Sequence, residues 1–109
     1  MDIQEYLTSE GRSPFGIWLR GLRDMRARAL IRIRLDRLRL GNLGDYRSVG
    51  NGVYELRLAY GPGYRLYFGV ADRTTVVLLA GGTKNMQQRD IIRAKHYWTD
   101  YWERENGQK

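Results

Sequence analysis

Cysteine is absent from the chain and histidine occurs once, as His96. The first absence excludes disulfides and thiolate metal sites. The second argues against zinc or any imidazole-rich metal centre, and against Ser/His/Asp or Cys/His catalysis, because His96 would have to fill every role. No cofactor is expected. Long apolar runs are missing too: nothing approaches the roughly 20 residues of a membrane span. The start, Met1-Asp2-Ile3-Gln4-Glu5, has neither the basic region nor the apolar core of a signal peptide. The expected location is the cytoplasm, with no membrane partner. Repeats, low-complexity stretches and linkers are absent, and 109 residues suit one domain, 1–109.

Negative charge is also short, with 12 acidic residues against 19 basic ones and a formal net charge of +7. Sixteen of the basic residues are arginine, which favours planar, bidentate contacts to phosphate or carboxylate over simple solubility. Such an excess attracts polyanions, so the partners to consider are nucleic acid and an acidic protein.

The first seven residues, with Ile3, Tyr6 and Leu7, suit a short edge strand. Ser13-Pro14 is a helix start, the hydroxyl as N-cap and proline at the first helical position. Phe15, Trp18, Leu19 and Leu22 then recur on one helical face, predicting a helix from Pro14 to about Asp24. Met25 to Leu40 alternates locally like a strand at Ile31-Arg32-Ile33-Arg34-Leu35. It is nevertheless too long for one, and Ala27, Leu30, Ile31, Leu35 and Leu38 share a helical arc ended by Gly41. Ala29, Ile33 and Leu40 fall on another side of this helix, either as scattered exposed aliphatics or as a stripe facing a partner. Many of the arginines on this helical pair are accounted for by a solvated face alone.

Strands follow. Arg47-Ser48-Val49 leads through a Gly50-Asn51-Gly52 turn into Val53–Phe68, which reads as a β-hairpin turning at Gly61-Pro62-Gly63. Its alternation puts Tyr54, Leu56, Leu58, Tyr64, Leu66 and Phe68 on one face, and Glu55, Arg57, Arg65 and Tyr67 on the other, expected to be exposed. That second face reads either as ordinary cross-strand Glu/Arg stabilisation or as a chemical surface. After an Asp72-Arg73 turn, Thr74 to Ala80 reads as a strand buried on both faces and closed by Gly81-Gly82. Asn85 and Gln88 resemble a capping box opening the last helix. Its inward stripe is Ile91, Ala94, Trp98, Tyr101 and Trp102, with Tyr97 at the margin and His96 off it. The tail Asn106 to Lys109 is expected to fray. The fold class is α+β, an antiparallel sheet with helices on one face: two N-terminal helices and a C-terminal one, in the order β-α-α-β-β-β-α.

Several stretches match a known pattern. Gly11-Arg12-Ser13-Pro14-Phe15 with Trp18-Leu19, Gly44 through Arg57, Tyr60-Gly61-Pro62-Gly63-Tyr64-Arg65, and Gly81-Gly82-Thr83-Lys84 with Gln87-Gln88 resemble the RelE/ParE superfamily of type II toxins. The branch most similar is that of the addiction module killer proteins, HigB-like and phage Gp49-like, and the resemblance runs from Gly11 to about Tyr101. It implies a RelE/ParE-like fold and a growth-arresting toxin neutralised by a cognate antitoxin, acidic or carrying a HigA-like helix-turn-helix domain. RelE-like members are metal-independent, ribosome-dependent mRNA endonucleases, so the implied second partner is mRNA on the ribosome. ParE-like members poison DNA gyrase without nuclease residues, and a degenerate member would keep only antitoxin or DNA-complex binding.

Metal-free RNA cleavage turns the ribose 2′-OH on the adjacent phosphate. It needs a proton acceptor, a proton donor for the leaving 5′-oxygen, and cations for the dianionic phosphorane. The resemblance assigns Arg65 to the third-strand arginine, Arg57 to a second-strand basic position and Lys84 to the residue after the last strand. Glu55 stands where RelE has its other second-strand base and is the candidate proton acceptor. Tyr60 and Tyr67 are candidates for stacking on a displaced base or for proton transfer, against sheet-face packing, and Arg47 completes the RNA-binding set. The C-terminal catalytic Tyr or His of the family has no match, since His96 lies inside the last helix.

Overall fold

A computed structural model describes residues 1–106. Of the tail expected to fray, Asn106 is the last helical residue, and 107–109 lie outside the described residues. Nine elements follow in order: β1 (Asp2–Glu5), α1 (Pro14–Gly21), α2 (Met25–Arg39), β2 (Tyr46–Gly50), β3 (Val53–Leu58), β4 (Tyr64–Ala71), β5 (Thr75–Thr83), a 3-10 turn Lys84–Met86, and α3 (Gln87–Asn106). The fold is α+β, with one five-stranded sheet in the order β1-β5-β4-β3-β2.

Two features of this architecture differ from expectation. The sheet is mixed, because α1 and α2 carry the chain from β1 at one edge to β2 at the other, and the antiparallel run from β2 to β5 then returns to lay β5 parallel beside β1, with Asp2 opposite Thr75 and Glu5 opposite Leu78. Parallel neighbours need a long connection, and here nearly the whole chain lies between β1 and β5. The helices also occupy both faces. α1 and α2 cover Leu56, Leu58, Tyr64, Leu66, Phe68, Val76 and Leu78. α3 lies on the opposite face over Val53, Tyr67, Val77, Leu79 and Ala80. The hairpin face expected to be wet is therefore roofed, and this decides the character of everything on it.

Local chemistry sets the boundaries. The Ser13 hydroxyl accepts from Gly16 N at 2.9 Å and caps α1. α1 stops at Gly21 rather than near Asp24 because Asp24 is already the N-cap of α2, accepting from Arg26 N at 3.0 Å and Ala27 N at 3.1 Å. At the far end of α2, Asn42 N–H donates to Arg37 O and Gly41 N–H to Leu38 O, the paired bonds of a Schellman stop. Ala27, Ile31, Leu35 and Leu38 are buried as their spacing predicted, whereas Ile33 and Leu40 are exposed.

β5 is buried along nearly its whole length, as expected, but it does not end at Gly81-Gly82. Both glycines are strand residues squeezed from opposite sides: a methyl at Gly81 would collide with the Trp18 ring, and one at Gly82 with the Asp90 carboxylate. The Asn85 capping box does not form, since Asn85 sits inside the 3-10 turn and α3 begins after it at Gln87. On α3, Ala94 and Trp98 are buried and His96 is exposed, while Trp102 keeps 39% of its surface and so lies at the margin of the stripe. No helix among the described residues is long and apolar enough to cross a membrane.

Candidate nucleic-acid interface

Strand register brings the expected residues together. Two rungs of the sheet point toward α3: Arg47, Glu55 and Tyr67 lie side by side across β2, β3 and β4. The next rung holds Arg57, Arg65 and Gly82 across β3, β4 and β5. Tyr46, Leu56 and Leu66 face the other way, so the alternation read from sequence is correct while the exposure is not.

Glu55 is the centre of the first rung and is fully buried. Its Oε1 accepts from Arg47 Nε at 3.0 Å. Its Oε2 accepts from the Tyr67 hydroxyl at 3.1 Å and from Gln87 Nε2 at 2.9 Å. Burial alone would push the Glu55 pKa up; the hydrogen bonds from Arg47, Gln87 and Tyr67 overcome this and hold it below the ordinary carboxylate range. Burial and the neighbouring Glu55 charge raise the Tyr67 pKa, so its phenol stays protonated as the donor. A carboxylate with both oxygens engaged and a lowered pKa is a weak proton acceptor. Tyr67 is likewise fully buried and offers no ring face to a base.

The second rung is electrostatically unusual. Arg57 and Arg65 stand directly opposite each other, an arrangement of like charges that costs stability across a strand pair. Arg65 is only 9% exposed. Its Nε lies 4.0 Å from Glu55 Oε2, beyond hydrogen-bond reach. Arg57 Nη2 binds Asp45 Oδ1 at 3.0 Å on the open side. The Nε atoms of both arginines are buried without a hydrogen-bond partner. Two buried guanidinium N–H groups on neighbouring strands thus lack an acceptor, the kind of group an oxyanion satisfies.

Lys84 is held at the same end of the sheet, because its backbone N–H donates to Gly63 O in the β3–β4 turn at 2.8 Å, and its side chain is exposed. Tyr60 is not part of this group. It lies toward the α1–α2 side, where its hydroxyl donates to Asp24 Oδ2 at 2.9 Å and the Arg26 guanidinium sits 5.6 Å from its ring centre. Three residues escaped sequence reading. Gln87 reaches Glu55 from the first turn of α3. Asp90 is fully buried among Arg89 (3.3 Å) and Arg93 (3.6 Å). Arg34 sends Nη1 to Arg57 O at 2.8 Å, tying α2 to the end of β3. The signal for Asp90 was its spacing, four before Ala94 and eight before Trp98, which puts an acid on the inward line of α3. Among the described residues, no group of three or more His, Cys, Asp or Glu side chains is placed to hold a metal ion.

The fold and these rungs define a small α+β protein with an arginine pair between sheet and helix. No family model matches the chain. A Haemophilus influenzae protein described only as an uncharacterized protein is 46% identical over 81 residues, covering 74% of this chain and 82% of that one. The chain belongs to the family of that protein.

Proposed function

We propose that this protein is the toxin of a type II toxin-antitoxin system, of the RelE/ParE superfamily and its addiction module killer branch, acting as a metal-independent, ribosome-dependent mRNA endonuclease. The observation that carries the reading is the Arg57–Arg65 pair, opposed across β3 and β4 with both Nε atoms unpartnered. Like charges this close are retained where an anion neutralises them. A phosphodiester does so, and its charge grows as the 2′-oxygen gives its proton to water and bonds to phosphorus while the 5′-oxygen departs and takes a proton from water, leaving a 2′,3′-cyclic phosphate and a 5′-hydroxyl. The arginines bind that growing charge more strongly than the ground state, which is the condition for acceleration.

Arg65, nearly buried, is assigned the non-bridging phosphate oxygens. Arg57, more open, shares them, and Lys84 and Arg47 hold neighbouring phosphates. Glu55 is reassigned from proton acceptor to positioning group, fixing Arg47, Tyr67 and Gln87 around the site. The antitoxin is expected to be acidic, complementing the +7 charge.

Induced expression in a bacterial host tests the reading. Wild type arrests growth and blocks amino-acid incorporation before DNA supercoiling changes, and Arg57→Ala relieves the arrest. Arrest by both proteins, accompanied by relaxed plasmid DNA, would instead support a gyrase-directed toxin that does not use these arginines.

A further inference from the structure

Beside the arginine rungs lies a second feature that phosphate binding leaves unexplained. β1 pairs with β5 only from Thr75 to Leu78, and Tyr6 N–H closes the ladder on Leu78 O. Beyond that point the outer edge of β5, through Gly81, Gly82 and Thr83, has no strand beside it among the described residues. A slot of about 170 Å³ opens there, walled by Pro14 and Trp18 of α1 on one side and by Arg89, Asp90 and Arg93 of α3 on the other. Its volume is well under the 300 Å³ or more of a site for a drug-sized ligand and suits a single ring system. The two glycines keep the floor free of side chains while the Trp18 ring and Asp90 close in from either face.

Asp90 supplies the second observation. It is fully buried; Oδ1 takes both arginines, and Oδ2 has no hydrogen-bond partner. An unpaired buried carboxylate oxygen is costly; Oδ2 rests on Gly82, and turning the carboxylate toward the slot would let a ligand N–H remove that cost. Arg89 and Arg93, with side chains 58% and 44% exposed, flank the mouth with positive charge. The slot lies one strand from the arginine pair, because Gly82, which lines it under Asp90, is the register partner of Arg65.

We propose that this slot is a nucleobase subsite for the RNA strand whose phosphate lies on Arg57 and Arg65, selecting bases that carry an exocyclic amino group. The inference rests on the RNA-cleaving reading and adds a specificity residue to it. Asp90 accepts from the amino group, as carboxylates accept from cytosine N4, the Trp18 ring covers the base, and the free edge of β5 faces its rim. Uracil, with a carbonyl in place of the amine of cytosine, would set oxygen against oxygen and is disfavoured.

The test uses purified protein and non-cleavable 2′-O-methyl hexamers of cytidine or uridine, measured by fluorescence anisotropy. A second readout follows backbone amide shifts in ¹⁵N NMR with CMP or UMP. Wild type is expected to bind the cytidine hexamer roughly tenfold more tightly, the value of one hydrogen bond to a charged group. CMP should shift Gly81, Gly82 and Thr83 amides where UMP does not. Asp90→Asn, whose amide can donate to a carbonyl, should lose or reverse the preference. If that variant fails to fold, the wild-type CMP/UMP comparison decides alone. Equal affinity for the two hexamers, with shifts confined to the Arg57 and Arg65 rung, would overturn the slot as a base subsite and leave the nuclease reading standing. Binding of neither hexamer, with no CMP shift at Gly81, Gly82 and Thr83, would overturn the slot as well, while the ribosome-dependent reading falls only if no mRNA cleavage accompanies growth arrest.

Discussion

At the scale of single residues, the site separates groups that hold from groups that act. Glu55 holds. Its folded pKa is depressed, so the stability it contributes is full above its ordinary value of 4.5 and is lost as pH falls below that value toward the folded one. The melting temperature should therefore fall on acidification from about pH 5, and Glu55→Gln should flatten that limb while costing about 1–3 kcal/mol near neutrality. Tyr6 has the opposite sign. Burial and its bond to Asp100 push it up to about 12, so its contribution is present below 10 and is lost as pH rises toward 12. Arg57 acts. Its side chain is 41% exposed and its partner Asp45 more so, a pair worth little. Arg57→Ala should keep the melting temperature within about 4–8 °C of wild type, the equivalent of 1 kcal/mol, and still abolish growth arrest. A large loss of stability in that variant would mean that the rung is structural.

At the scale of elements, the clearest prediction concerns the seam between β5 and α3. Gly82→Ala drives a methyl into the buried Asp90 carboxylate, and overpacking of that kind costs about 2 kcal/mol or more, on the order of 10 °C in thermal melts. Gly21→Ala, where an added methyl meets nothing, should change stability by less than about 1 kcal/mol. Equal effects at the two positions would remove the tight seam from the account. These glycines also show where sequence reading stops. A glycine pair after an apolar run looks like a strand end, and only the approach of Trp18 and Asp90 from elsewhere in the chain makes it strand interior. Ser13-Pro14, the long arc of α2 and the Asn51-Gly52 turn were legible because caps, periodicity and turn chemistry are local. The start of α3 was not, because docking of Lys84 on Gly63 tightened its first residues into a 3-10 turn ahead of the expected cap.

At the scale of the whole molecule, alternation gave the right partners on the hairpin and the wrong solvent. Which face of a sheet a distant helix will cover is a topological fact, set by the 20-residue α3 crossing over β3 to β5, and no period in β3 or β4 announces it. Covering that face turned Glu55 and Tyr67 from surface candidates into buried supports and left Arg57 and Lys84 at the opening. The charge of the chain was legible outright and makes its own prediction. With Arg57 and Arg65 sharing one phosphate and Arg47 and Lys84 each on a neighbouring one, the affinity for single-stranded RNA should fall with salt at a log–log slope of about −2, and Lys84→Ala should reduce that slope by about 0.7. A slope near zero would separate RNA from the basic surface altogether.

The most direct measurement maps new 5′ ends on cellular mRNA after a short pulse of expression, comparing wild type with Arg65→Ala and with Arg57→Ala as the more exposed and better-tolerated variant. The account predicts 5′-hydroxyl ends concentrated within translated codons for wild type and lost in both variants. Growth arrest without new ends, equal in all three proteins, would contradict it.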